Sequence, residues 1–160
     1  SVTRAETKGT PTMRYFLDTE FNGFCGELIS IALVPEDDSI APFYAAAVCQ
    51  NPTPWVAEHV IPVLDVEPVE RRRLADQFAD YLSDDPEPVL VADWPEDIAH
   101  AARLLVIGPG LMKPVRNIRF DLVDAELVGL SEDRAVPHNA CHDALRLRAD
   151  VLAYEKRMAT

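Results

Sequence analysis

The chain has 160 residues, 48% of them hydrophobic, and 15 basic against 27 acidic side chains give a formal charge of −12. That length fills one core rather than two, and the acidity excludes a protein that holds long duplex nucleic acid through a broad basic face, because such binding rests on many Lys and Arg contacts to phosphate. A nucleic-acid substrate whose phosphates meet metal ions stays open.

No run of eighteen apolar residues occurs, and "SVTRAETKGTPT" at the start has no hydrophobic stretch to serve as a secretory signal. A soluble, cytoplasmic protein with no membrane partner is expected. Cys25, Cys49 and Cys141 are odd in number and widely spaced, so reduced thiols are expected rather than a disulfide framework.

Residues 1–12 lack periodicity and read as a flexible extension, with Met13 a candidate natural start; residues 13–160 read as a single domain. "RYFLDTEF" and "ELISIALV" have the composition of strands joined by a turn over Asn22 to Gly26, and "APFYAAAV" is a third strand after the acidic turn "PEDDS". Three strands on short turns predict an antiparallel meander. "PTPWVAEHVIPVL" holds a short helix, and Val69, Leu74, Phe78, Tyr81 and Leu82 recur near helical spacing in a longer one. "PEPVLVAD" is a short apolar run of the buried-strand kind. "DWPEDIAHAARLLVI" follows as a helix whose opening has the pattern of a capping box, with Asp93 as cap, Pro95 in the first turn and Glu96 three residues beyond the cap. "GPGLMKPVRN" is a loop, "IRFDLV" a strand, and "NACHDALRLRADVLAYEKRM" a terminal helix capped by Asn139. Three strands followed by helix–strand alternation predict an α/β fold, a mixed sheet with helices on both faces.

Asp18 and Glu20 stand out. Residues two apart on a strand share a face, so both acids project on the same side as Phe16, while Leu17, Thr19 and Phe21 face the other way. Partly burying two like charges is costly unless cations compensate them, and Mg²⁺ or Mn²⁺ suits a carboxylate pair. Asp-x-Glu recurs at Asp65/Glu67, Asp85/Glu87 and Asp124/Glu126, where loop or helix-entry positions explain it; only Asp18/Glu20 lies in a strongly apolar strand.

Two further segments complete a candidate constellation. His138 precedes the predicted cap Asn139, on a loop, and Asp143 lies five residues on, early in the helix; an imidazole is the usual general base near neutral pH. In "ADWPEDIA", Asp97 sits in the first turn of a helix, where the macrodipole also favours an acid, and Asp93 is the alternative ligand.

In their order, "FLDTEF", "VADWPEDIA" and "HNACHDA" resemble the motifs of the DEDDh 3′-to-5′ exonucleases of the ribonuclease H-like fold, the group of ribonuclease T, oligoribonuclease and proofreading subunits. "MRYFLDTEF" and the single short domain are most similar to a small bacterial and phage exoribonuclease branch, and the resemblance spans about residues 13 to 155. His138, Ala140, Asp143 and Ala144 match the family's H-x-A-x-x-D-A pattern. The second motif departs from it: Glu96 stands where an aromatic is usual, which leaves the choice between Asp97 and Asp93 open. Asn139, four before Asp143, stands where the tyrosine class has Tyr.

The resemblance implies a ribonuclease H-like sheet of five or six strands. It implies that Asp18, Glu20, Asp97 and Asp143 hold two divalent cations, Mg²⁺ or Mn²⁺, and that His138 deprotonates the attacking water. It implies a 3′-to-5′ exoribonuclease that releases nucleoside monophosphates from single-stranded 3′ ends or short oligonucleotides, with Phe21 and Phe24 against the terminal nucleotide, and a homodimer. Trp94 is another candidate for stacking, and Lys113, Arg116 and Arg119 for backbone phosphates; Arg71, Arg72 and Arg73 read as a solvated helix face. DNA is the alternative substrate, since nothing in the sequence reads a 2′-hydroxyl. The rivals are a non-catalytic nucleic-acid-binding module and a zinc site built on His138, Cys141 and His142, which lacks the Glu of H-E-x-x-H.

Overall fold

The computed structural model describes residues 13–129 and 136–160; the predicted N-terminal extension lies outside them. Strands β1 (Arg14–Phe21), β2 (Leu28–Pro35) and β3 (Phe43–Ala46) form the predicted antiparallel meander. Strands β4 (Val89–Ala92) and β7 (Arg119–Leu122) add to its far side in parallel, giving a mixed five-stranded sheet in the order β3-β2-β1-β4-β7.

β1 is central, and its alternation decides the layers. Phe16 packs with Val34, Val91, Ala144, Leu147 and Val151, so one face is covered by helix α5 (Ala140–Met158). Leu17 packs on the opposite face with Leu74, Phe78, Leu82, Ala101 and Leu104, from helices α2 (Arg71–Leu82) and α3 (Pro95–Leu104). Coverage on both faces explains why β2 and β4 are buried along their whole lengths and read as unbroken apolar runs. Phe16 is fully buried between sheet and α5, and truncating it to Ala would cost about 3–5 kcal/mol. A third, smaller cluster joins Ile29 and Ala46 to Val56, Val60 and Leu64, from helix α1 (Pro54–His59) and the 3₁₀ turn Ile61–Val63.

Two local expectations are corrected. The helix predicted through "RLLVI" ends at Leu104, and Val106–Gly108 (β5) instead forms a separate two-stranded hairpin with Leu111–Met112 (β6). The apolar run extends beyond the helix, but its burial does not: Leu104 and Leu105 are in the core, while Val106 and Ile107 are exposed. A short helix α4 (Ala125–Val128), capped by Asp124 on the Glu126 and Leu127 amides, lies where the sequence suggested only a helix-entry acid. No helix among the described residues is long and apolar enough to cross a membrane.

Candidate metal and catalytic centre

β1 keeps β2 as its partner to the end of the strand, whereas pairing with β4 stops at Phe16↔Val91. Beyond that point β1 and β4 part, and in an open sheet the space outside the carboxyl ends of the strands is where ligands bind. Asp18 is the second residue past that last pair, and Asp93 directly follows β4. Asp97 comes from the first turn of α3 and Asp143 from the first turn of α5, so helices on opposite faces of the sheet direct acids to the same opening.

The acids converge as two groups. Asp18, Glu20 and Asp143 each place a carboxylate oxygen within 4.8 Å of the others, and Asp18, Asp93 and Asp97 do the same. Asp18 belongs to both. Asp97 and Asp143 are buried, and Oδ2 of Asp18 is buried without a hydrogen-bond partner. Among the described residues, no Lys or Arg forms an ion pair with Asp18, Asp93 or Asp97. Burial first, and then the charges of Asp97, Asp143, Glu20 and Asp93, push the Asp18 carboxyl well above the usual carboxylate range. Burial raises Asp97 to about 7 against the opposing hydrogen bond from Thr19, whose Oγ1 donates to Oδ1 at 2.6 Å; Asp93 and Asp143 add to the rise. An all-oxygen donor set, an orphaned buried carboxylate oxygen and carboxyls that resist ionisation together fit hard divalent cations. These acidic groups could bind a metal ion.

No protein-family model and no curated protein sequence matches this chain. Its chemistry is therefore read from its own side chains.

The second motif is corrected in one respect. Asp93 does not cap α3: the N-cap is Trp94, with no side-chain cap hydrogen bond, and Glu96 accepts from the Trp94 indole N–H at 3.2 Å instead of closing a capping box. Freed from that role, Asp93 joins Asp18 alongside Asp97, so both acids left open by the sequence are at the site. Two of the three other Asp-x-Glu pairs have local partners. Asp85 accepts from the Tyr15 hydroxyl and the Glu87 amide, and Asp124 caps α4. The zinc rival gains nothing, since neither group of potential metal ligands among the described residues includes Cys141 or His142.

His138 lies just ahead of the cap Asn139, in the left-handed region at φ 64°. Asn139 accepts from the amides of Cys141 and His142, as predicted, and donates through Nδ2 to the Val63 carbonyl at 2.8 Å. One side chain thus ties the start of α5 to the 3₁₀ turn and fixes where His138 and Asp143 emerge. The His138 ring meets Trp55 edge-on at 4.9 Å between centroids, and Trp55 stacks on His59 at 4.6 Å.

Trp55 also borders a cleft of about 480 Å³ beside the acids, lined by Glu20, Phe21, Phe24, Thr53, Trp94 and Glu96 among others. All three aromatics singled out in the sequence therefore face one cavity. Phe24 is 91% exposed and Trp94 55%, so both offer a ring to a ligand, whereas Phe21 is half-buried and stacked on His100 at 5.0 Å. The turn carrying Phe24 is bound to the start of α1: Asn22 donates to the Asn51 carbonyl and accepts from the Thr53 amide. Gly23 takes φ +74°, and a Cβ at Gly26 would lie 1.9 Å from the Asn22 carbonyl oxygen, so the turn closes on glycine. Trp55, His59, Thr19 and His100 were not singled out as site residues from sequence. Each looks like an ordinary helix or strand residue, and no local pattern marks it.

Proposed function

We propose that the protein is a metal-dependent 3′-to-5′ exonuclease of the ribonuclease H-like fold, acting on single-stranded ends or short oligonucleotides. RNA is the substrate we favour, on the strength of the resemblance. The observation that carries the reading is Asp18 shared between two three-carboxylate groups. Asp18, Glu20 and Asp143 would hold one divalent cation, and Asp18, Asp93 and Asp97 a second. When bound, such a pair supplies positive charge opposite both the attacking and the leaving oxygen of an in-line phosphodiester displacement.

The chain's own side chains do the rest. Phe24 and Trp94 stack against the terminal bases, which recognises an end without reading its sequence. His138, whose ring meets the cleft-lining Trp55 edge-on, accepts the proton of the attacking water. The water oxygen forms its bond to phosphorus as the bond to the preceding 3′ oxygen breaks; that oxygen takes a proton from solvent. A nucleoside 5′-monophosphate and a shortened chain with a free 3′-hydroxyl result. Asn139 positions His138 through the capped start of α5.

The test is hydrolysis of end-labelled RNA and DNA of several lengths with Mg²⁺ or Mn²⁺, by the wild type, Asp18→Asn and His138→Ala. Stepwise shortening from the 3′ end by the wild type alone supports the proposal. Equal behaviour of all three proteins rejects it.

A further inference from the structure

A cleft larger than the one beside the acids lies elsewhere on the described surface. It encloses about 890 Å³ between α2, the C-terminal end of α3 and the β5–β6 hairpin, and its walls carry Arg71, Arg72, Arg103 and Lys113 beside Val106 and Ile107. In a chain with a formal charge of −12 this is a local reversal of sign. Lys113 is neutralised by Asp76, but Arg71, Arg72 and Arg103 are exposed and, among the described residues, make no ion pair. Val106 and Ile107 are 63% and 59% exposed, an apolar strip along a cationic wall. Arg71 and Arg72 are exposed on α2, as the sequence reading of a solvated helix face expects, and that same face forms a wall of the cleft.

Helix α3 carries residues of both the groove and the acid site. Asp97, His100 and Arg103 succeed one another at three-residue spacing on α3, so each neighbours the next on the helix surface, and about 9 Å of axial rise separates the first from the last. His100 stacks on Phe21, which lines the cleft beside the acids. Burial first, and then the charges of Arg71 and Arg103 against that of Glu96, lower the His100 pKa below its ordinary value. One helix thus leads from the carboxylates, past the Phe21–His100 stack, into the basic groove.

We propose that this groove binds the phosphate backbone of the nucleotides lying 5′ to the scissile end of a single-stranded nucleic acid, with Arg71, Arg72 and Arg103 on phosphates and bases over Val106 and Ile107. The proposal rests on the nuclease reading above, which supplies the end that enters the cleft. It explains how a strongly acidic protein retains a polyanion: the strand meets divalent cations at its 3′ end and arginines further back. A dinucleotide is too short to reach the groove; a 12-mer fills it.

The experiment compares wild type with the double variant Arg71→Gln/Arg103→Gln, both positions being exposed. Binding of a 5′-labelled single-stranded RNA 12-mer with a non-hydrolysable 3′-terminal linkage is measured across salt concentrations, and turnover of a dinucleotide and a cleavable 12-mer is measured in parallel. The variant is expected to turn over the dinucleotide like the wild type and to bind the 12-mer more weakly. Its plot of log affinity against log salt should be shallower by about 1.4, as for two lost phosphate contacts on a single strand. Unchanged 12-mer affinity and salt slope would overturn the groove assignment and leave it to an acidic protein partner. A wild type that binds the 12-mer with the arginine-dependent slope but cleaves neither substrate would sink the nuclease reading and leave the groove standing.

Discussion

The two ends of β1 handle charge in opposite ways. At its start Arg14 is clamped by two carboxylates, Glu36 at 2.8 and 3.0 Å and Glu155 at 2.7 and 3.1 Å, which join the strand to the end of β2 and to α5. Hydrogen bonding to Arg14 lowers Glu36, and the paired guanidinium is correspondingly harder to deprotonate. Seven residues from Arg14 the strand ends at Phe21, and in between Asp18 meets four more acids through the two groups it shares. At the first end folding itself supplies the counter-charge. At the second, folding gathers like charges and leaves the balancing to something that binds.

That contrast can be broken at either end. Asp18→Asn should abolish turnover of single strands, because it removes the carboxylate common to both groups, while leaving the protein folded; retained turnover would show that the acids only decorate the cleft. His138→Ala should lower kcat by about 10²–10⁴-fold, the usual contribution of a general base, with little change in KM. Phe24→Ala with Trp94→Ala should raise KM, about 1–3 kcal/mol being lost per unstacked base, and leave dependence on Mg²⁺ concentration intact. Arg14→Ala, at the matched end, should cost about 1–2 kcal/mol of stability in chemical unfolding and spare kcat in the folded fraction.

Acidity sharpens the comparison further, since the ends respond with opposite sign. Asp97 holds its proton in the folded protein up to about pH 7 but loses it near 3.8 in the unfolded chain, and Asp18 is displaced in the same direction. Their contribution to metal-free stability is complete below the unfolded value and is lost as pH rises through the folded one. Glu36 is lowered, so its contribution is present above 4.5 and is lost as pH falls. The unfolding midpoint of the metal-free protein should therefore fall as pH rises from about 4 to about 7, and Asp18→Asn should flatten that fall. Mg²⁺ or Mn²⁺ should restore the midpoint at pH 8 in proportion to the logarithm of its concentration, as for any ligand selective for the folded state. Thermal melts across pH with and without the ion check both.

The meander, both flanking helices and the Asn139 cap were legible because each rests on a short-range pattern: alternation in "RYFLDTEF", apolar spacing from Leu74 to Leu82, an Asn ahead of a helical run. Asp18 and Glu20 could be nominated for the same reason, as acids inside an apolar strand, whereas Asp97 and Asp143 stand in first helical turns, where the macrodipole already favours an acid, and were nominated through the resemblance of their motifs. Asp93 was misplaced by the local rule that serves so well elsewhere. Cap residues are identified by composition, and an Asp before Trp-Pro-Glu satisfies that composition, but the backbone begins the helix one residue later and Asp93 turns to Asp18. The β5–β6 hairpin was hidden because "LLVI" has no period that separates the buried Leu104 and Leu105 from the exposed Val106 and Ile107. The meeting of His138 with Trp55, 83 positions apart in the sequence, is set by where α1 and α5 settle on the sheet, and no window of residues contains both.

The tight closure at Gly26 reaches beyond its own turn. Gly26 is in neither group of acids and meets the cleft only through its amide on the Gly23 carbonyl, yet any side chain there would lever the Asn22 carbonyl aside and unlatch the bracket that Asn22 makes with Asn51 and Thr53. The ring of Phe24 would drift while every acid stayed in register. Residue 26 thus acts as a spacer whose thickness sets the jaw width of the cleft independently of the spacing of the acids.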